Sequence, residues 1–182
     1  MTQYITRQHA IDFGHRVMDE RFKCFNLHGH RGLIEMRFGF EQCEEIGYAV
    51  DFKEIKRVAC VWIDEHLDHG FAANPHDHEI IKTCQHLNSK LYLMSLNGEA
   101  QYCNPTAENL GKELFLAIDT LFIGRAFWLA SLRFYETPNC WVDTDASSIS
   151  ESERQHFLSY RGEALHAYAK DKGIVEYDQR KL

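Results

Sequence analysis

The sequence predicts an α+β protein with a mostly antiparallel sheet. Three observations carry this. From Ile34 to Phe40 apolar and other residues alternate, the period of a strand with one buried face. After Asp51, and again after Pro105, the apolar residues fall at helical spacing instead. The run "GRAFWLASLRFYET" is long, apolar and aromatic, as a further strand would be.

Along the chain, Ile11, Phe13 and His15 share one parity and close a first strand from Tyr4. A second strand covers "RGLIEMRFGFE", and "EQCEEIGYAV" reads as a turn and a returning strand. Asp51 caps a helix, with Glu54 as its capping-box partner and Ile55, Val58, Ala59, Trp62 and Ile63 as its apolar stripe. "NPHDHEIIKTCQHLNSK" reads as a short surface helix and "LYLMSLN" as a short strand. Pro105 and Thr106 open a second long helix, with Leu110, Leu114, Ile118 and Leu121 on its inner face. The aromatic strand follows. A polar stretch from Ser147 to Lys172 is helical in pattern, with only sparse apolar anchors such as Phe157 and Leu165.

The bulk numbers narrow the classes. With 182 residues, 45% hydrophobic and 26% charged, the chain suits one soluble domain with room for an appendage. No apolar run is long enough for a membrane span. The net charge of −7 argues against general nucleic-acid binding, which leans on basic surface. The six cysteines are scattered and no secretory signal opens the chain, so they are expected as reduced thiols in the cytoplasm. Eleven histidines prompt a search for metal sites.

"CFNLHGH", Cys24 to His30, is the densest cluster of reactive side chains. On a strand His28 and His30 present two imidazoles to one side, and Gly29 is expected to keep the space between them open. Zinc accepts imidazole nitrogen, and a catalytic site typically has three protein ligands. His15 can be the third if the first two strands pair as a hairpin. An isolated H-x-H is more often a pair of ordinary surface or core histidines. Cys24 can be a fourth ligand, buried packing, or a thiolate used as nucleophile or base. Arg16, Arg21, Lys23 and Arg31 surround this stretch and could meet an anion; each alone is more often solvated charge. Asp68 and His69 form a second acid–imidazole pair, alternatively a plain helix end. Glu136 ends the last strand, either at the surface or as an anchor for two parallel N–H donors.

Taken in order, "FGH", "C-x3-HGH", "AVDFKEIK", "LDH", "NPTAENL" and "ETP" resemble the 6-pyruvoyl-tetrahydropterin synthase superfamily, from Ile11 to about Thr137. The resemblance implies the tunnelling fold: a four-stranded antiparallel sheet with two helices on one face. Residues 1–145 would form that domain and 146–182 a helical C-terminal extension. It implies His15, His28 and His30 as zinc ligands, and Cys24, Asp68 and His69 as the catalytic triad. Glu136 would anchor the pterin edge, with Thr106 and Glu108 in the region lining the pterin pocket. Subunits would form a homohexamer of two stacked trimers, with active sites between chains. The three residues between Cys24 and His28 resemble the bacterial 6-carboxy-tetrahydropterin synthase branch, a zinc lyase acting on 7,8-dihydroneopterin triphosphate on the way to queuosine. Alternatives are the pyruvoyl-forming activity on the same substrate, a zinc hydrolase that would not need Cys24, and a non-catalytic pterin-binding oligomer. The sequence departs from the family pattern at Arg31-Gly32 after HGH, at Ala73, and beyond Thr144.

Overall fold

The computed structural model describes residues 1–97 and 103–174; residues 175–182, the end of the expected extension, lie outside them. Alternating runs fold first into a long hairpin. Strand β1 (Gln3–His15) pairs antiparallel with β2 (His28–Phe40), from Gln3 opposite Phe40 to His15 opposite His28. β2 then pairs antiparallel with β5 (Phe127–Thr137), and β5 with β6 (Cys140–Thr144). These four make the antiparallel sheet that the resemblance implies.

The sheet itself is larger. Two short strands, β3 (Gly70–Ala73) and β4 (Leu91–Leu93), join in parallel beside β1, giving six strands in the order β4-β3-β1-β2-β5-β6. The expected four-stranded, wholly antiparallel sheet is therefore corrected to a six-stranded mixed one. β3 is four residues with no alternation, so periodicity could not reveal it; it exists because β1 offers it an edge at Phe13–His15. The returning strand expected within 41–50 does not form. Both edges of β2 are already taken, by β1 and β5, and no strand is found there. β6 was unforeseen: Pro138 and Asn139 turn the chain after Thr137 and send it back along β5.

The first predicted helix is two short α-helices, α1 (Phe52–Ile55) and α2 (Val61–His66), joined by a π-helical turn at Lys56–Cys60. Asp51 caps α1 by accepting from Lys53 N at 2.8 Å. Glu54 does not complete a capping box; its carboxylate takes Arg125 at 2.5 Å. α3 (His78–His86) covers β3 and β4 with Ile80 and Cys84. α4 (Ala107–Leu121) is capped by Thr106. Ile55, Val58, Trp62, Leu110, Leu114 and Ile118 pack with Ile11, Ile34, Met36, Phe38 and Phe134 in one core, so both helices lie on one face of the sheet. The close approach of α4 to β6 requires Gly111, where a Cβ would meet Thr144 Oγ1 at 2.9 Å.

The polar tail forms α5 (Glu151–Asp171), opened by a full capping box between Ser150 and Glu153. Its anchors Phe157 and Leu165 are buried in the main core. A charged anchor goes deeper. Glu113 on α4 is fully buried, and accepts from Tyr92 Oη at 2.8 Å and from the backbone N–H of Ser95. Burial pushes its carboxyl above the usual range, and Arg161 of α5 is the chief opposing influence. Arg161 stands 3.5 Å from that carboxylate, donates to Leu93 O and Ser95 Oγ, and lies over the Tyr92 ring. Removing one partner of such a pair leaves a stranded charge. Arg161→Met is expected to cost about 3 kcal/mol in chemical denaturation, and Glu113→Gln with Arg161→Met to cost clearly less. With Glu113→Gln measured alone as well, single losses that add up to the double loss would show that the pair carries no coupling.

Candidate active site

The β1–β2 register places His15 opposite His28 and Phe13 opposite His30, so all four side chains lie on the helix-covered face. A ring nitrogen from each of His15, His28 and His30 lies within 4.8 Å of the others. Gly29 faces the opposite side. A Cβ there would meet Phe13 O at 2.9 Å, so the glycine serves close strand approach and does not clear room between the rings.

The hydrogen bonds define which nitrogens are bare. His15 Nδ1 donates to Pro105 O at 2.6 Å, and His28 Nδ1 donates to Asn26 O at 2.8 Å. Both Nε2 atoms then carry lone pairs, yet they stand 3.0 Å apart. Two lone pairs at that distance repel unless a proton or a metal ion lies between them. His30 Nε2 is buried without a partner. Burial lowers the pKa of His15 and keeps it neutral, the form that ligates metal. The Glu136 carboxylate, 3.6 Å from His15 Nε2, adds negative charge beside the trio. Three convergent imidazoles, two of them locked by carbonyls, fit a zinc-like divalent ion.

Beside the trio lies a cleft of about 270 Å³. Cys24, Thr106, Glu108 and Glu136 line it together with His15, which brings five of the expected site residues to one place. Cys24 is half-buried and enters on a short 3₁₀ turn, Lys23–Phe25. Thr106 and Glu108 come from the start of α4, and Glu136 from the irregular end of β5. Cys140 and Val142 of β6 complete the wall. These were missed in the sequence, though the Pro138-Asn139 turn after "ET" was the available signal.

Asp68 and His69 lie elsewhere in the same chain. His69 borders a shallow groove with Asp12, Gly14, Gly29 and His30, and lines no wall of the Cys24 cleft. The pair is well built. Asp68 accepts from Asp12 N at 2.8 Å and from His69 Nδ1 at 2.6 Å. Burial pushes its carboxyl up, but these donors outweigh it and the net shift is downward. The bond to Asp68 uses His69 Nδ1 and leaves Nε2 outside it. The ring projects from a residue in the left-handed region, φ 53°, held there by its N–H to Asp12 O at 2.6 Å.

A hairpin carries three convergent imidazoles that could hold a metal ion, beside a cleft that holds a thiol and a strand-end carboxylate. Residues 4–147 match the family model described as 6-pyruvoyl tetrahydropterin synthase, and the chain belongs to that family. A Rickettsia felis protein named 6-carboxy-5,6,7,8-tetrahydropterin synthase is 38% identical over 142 residues, 76% of this chain and 96% of that protein. Its Rickettsia bellii namesake is 36% identical over 140 residues, with the same coverage. Among solved structures, 6-pyruvoyl tetrahydropterin synthase from Caenorhabditis elegans superposes with a TM-score of 0.57 at 16% identity, covering 80% of this chain and 96% of that one. An uncharacterised protein from Wolinella succinogenes gives 0.63 at 21% identity, covering 80% and 99%. Both share the fold.

If the trio binds metal, zinc added to the chelator-stripped protein raises its melting temperature. At a free concentration of 100 times Kd the gain is about 2.7 kcal/mol. His30→Ala should abolish the rise in a thermal scan; a rise that survives it would place the metal elsewhere.

Proposed function

We propose that this chain is a zinc-dependent carbon–carbon lyase. Its reaction would convert 7,8-dihydroneopterin triphosphate and water to 6-carboxy-5,6,7,8-tetrahydropterin, acetaldehyde and triphosphate, as a step toward queuosine in the cytoplasm. The observation that carries this reading is the convergence of His15, His28 and His30 beside the cleft that holds Cys24 and Glu136. The names of the 36–38% identical relatives support the carboxy product. The family description favours a second reading, the pyruvoyl product from the same substrate.

A zinc ion held by the three histidines would supply Lewis acidity to the side-chain hydroxyls of the substrate. Glu136 grips the 2-amino and ring N–H edge of the pterin through two parallel hydrogen bonds. Thr106 and Glu108 bound the ring from the start of α4. The Cys24 thiolate moves a proton at the carbon beside the ring. His69 is the partner acid or base, its Nδ1–H held by Asp68 so that Nε2 faces outward. Cys24 and His69 line different clefts of one chain, which supports a triad completed between subunits. The open sheet edges support such an assembly: among the described residues β1 has no strand partner on its outer edge before Phe13, and β6 has none on its outer edge. We take the oligomer as two stacked trimers, residues 1–145 as the catalytic domain and 146–182 as its helical extension.

Mass spectrometry of products from the zinc-loaded protein and dihydroneopterin triphosphate tests the reading. Carboxy-tetrahydropterin with acetaldehyde is expected, and Cys24→Ala should slow turnover about 10²- to 10⁴-fold. A pyruvoyl product without acetaldehyde would move the chain to the second reading, and absence of turnover would end both.

A further inference from the structure

Among the described residues, the loop that carries Cys24 places no side chain in the hydrophobic core. No residue from 16 to 27 is buried, and Phe22 and Leu27 are among the exposed apolar side chains. Polar links must therefore fix where the thiol stands. Val17 N donates to Cys24 O at 2.8 Å, which closes the loop on itself. Arg21 pairs with Asp19, inside the same loop, and so ties it to nothing outside.

The external tie is Arg16. Its Nε and one terminal nitrogen donate to both oxygens of Asp77, at 2.5 and 2.9 Å. Asp77 is 2% exposed and caps α3, so the anchor belongs to the body of the fold. The same guanidinium lies over the ring of Phe25, 5.0 Å from its centroid. Phe25 directly follows Cys24. A second tie runs from Met18 N to Asn104 Oδ1 at 3.0 Å, and that oxygen also accepts from Asn74 at 3.1 Å. Asn104 precedes Pro105, whose carbonyl locks His15. The thiol loop and the histidine cradle are thus fastened to one frame.

We propose that Asp77 and Arg16 are positioning residues that fix the Cys24 thiol in its cleft. Asp77 lines no part of the cleft; it acts through the flat face of Arg16 on Phe25. The planar fork matters, because a lysine can neither bind both oxygens in the same plane nor cover the ring. The role rests on the reading of Cys24 as the reacting thiol.

Asp77→Asn tests it, since the amide oxygen can still cap α3 while the charge pair is lost. Iodoacetamide labelling of Cys24, normalised to exposed Cys43 in the same zinc-loaded protein, is read by peptide mass spectrometry beside steady-state kinetics. A freed loop labels severalfold faster at Cys24, and kcat falls about 10- to 100-fold while KM holds within about twofold. Phe25→Leu, at an exposed position, should shift both readouts the same way by less, and it decides the matter if Asp77→Asn does not fold. An unchanged labelling ratio with unchanged kcat, or a lowered melting temperature alone, would overturn the proposal. Full activity in Cys24→Ala would instead remove the catalytic role of the thiol, while the labelling ratio would still report on the tie.

Discussion

The pairing of β1 with β2 in a single register is the constraint on which the site depends. His15 faces His28 and Phe13 faces His30. A slip of one residue would turn His15 away from the other two, because side chains alternate between faces. The buried row Ile11, Phe13, Ile34, Met36 and Phe38 forbids that slip, since it would drive the core residues into solvent. The hydrophobic pattern of the hairpin and the geometry of the histidine trio are thus one specification.

Orientation then comes from two carbonyls. Pro105 O reaches His15 from the start of α4, and Asn26 O reaches His28 from the loop that precedes it. Each accepts a hydrogen bond from Nδ1 and leaves Nε2 toward the centre. The segment that leads into α4 therefore also sets the tautomer of His15, the most buried of the three histidines, so that packing and the histidine cluster share residues 104–110. The tail helix adds to the same body through Arg161 and the buried Glu113, a charge pair that lies beyond the 4–147 family match on one side and within it on the other.

How much of this was legible depended on the range of the interactions. Alternation at Ile34–Phe40 and helical spacing after Pro105 are local, and both elements form where the sequence placed them. β3 and β6 are short and owe their form to strands already in place, so no local period announced them. The expected return strand at 41–50 failed because β2 had spent both edges on distant partners. At the site, His15, His28 and His30 were readable from parity and a hairpin. Cys140 and the Arg16–Asp77 pair were not, since sixty-odd residues separate the ion pair in the chain and only the folded sheet brings Asp77 under the loop.

The claim at the centre is that three imidazoles, with His15 and His28 turned by their carbonyls, present Nε2 atoms to one divalent ion. Diffraction data collected at the zinc absorption edge from zinc-soaked crystals test it most directly. One anomalous peak per chain is expected, bonded to Nε2 of His15, His28 and His30 at about 2.0–2.1 Å. A peak at other residues, coordination through Nδ1, or no peak at saturating zinc would contradict it.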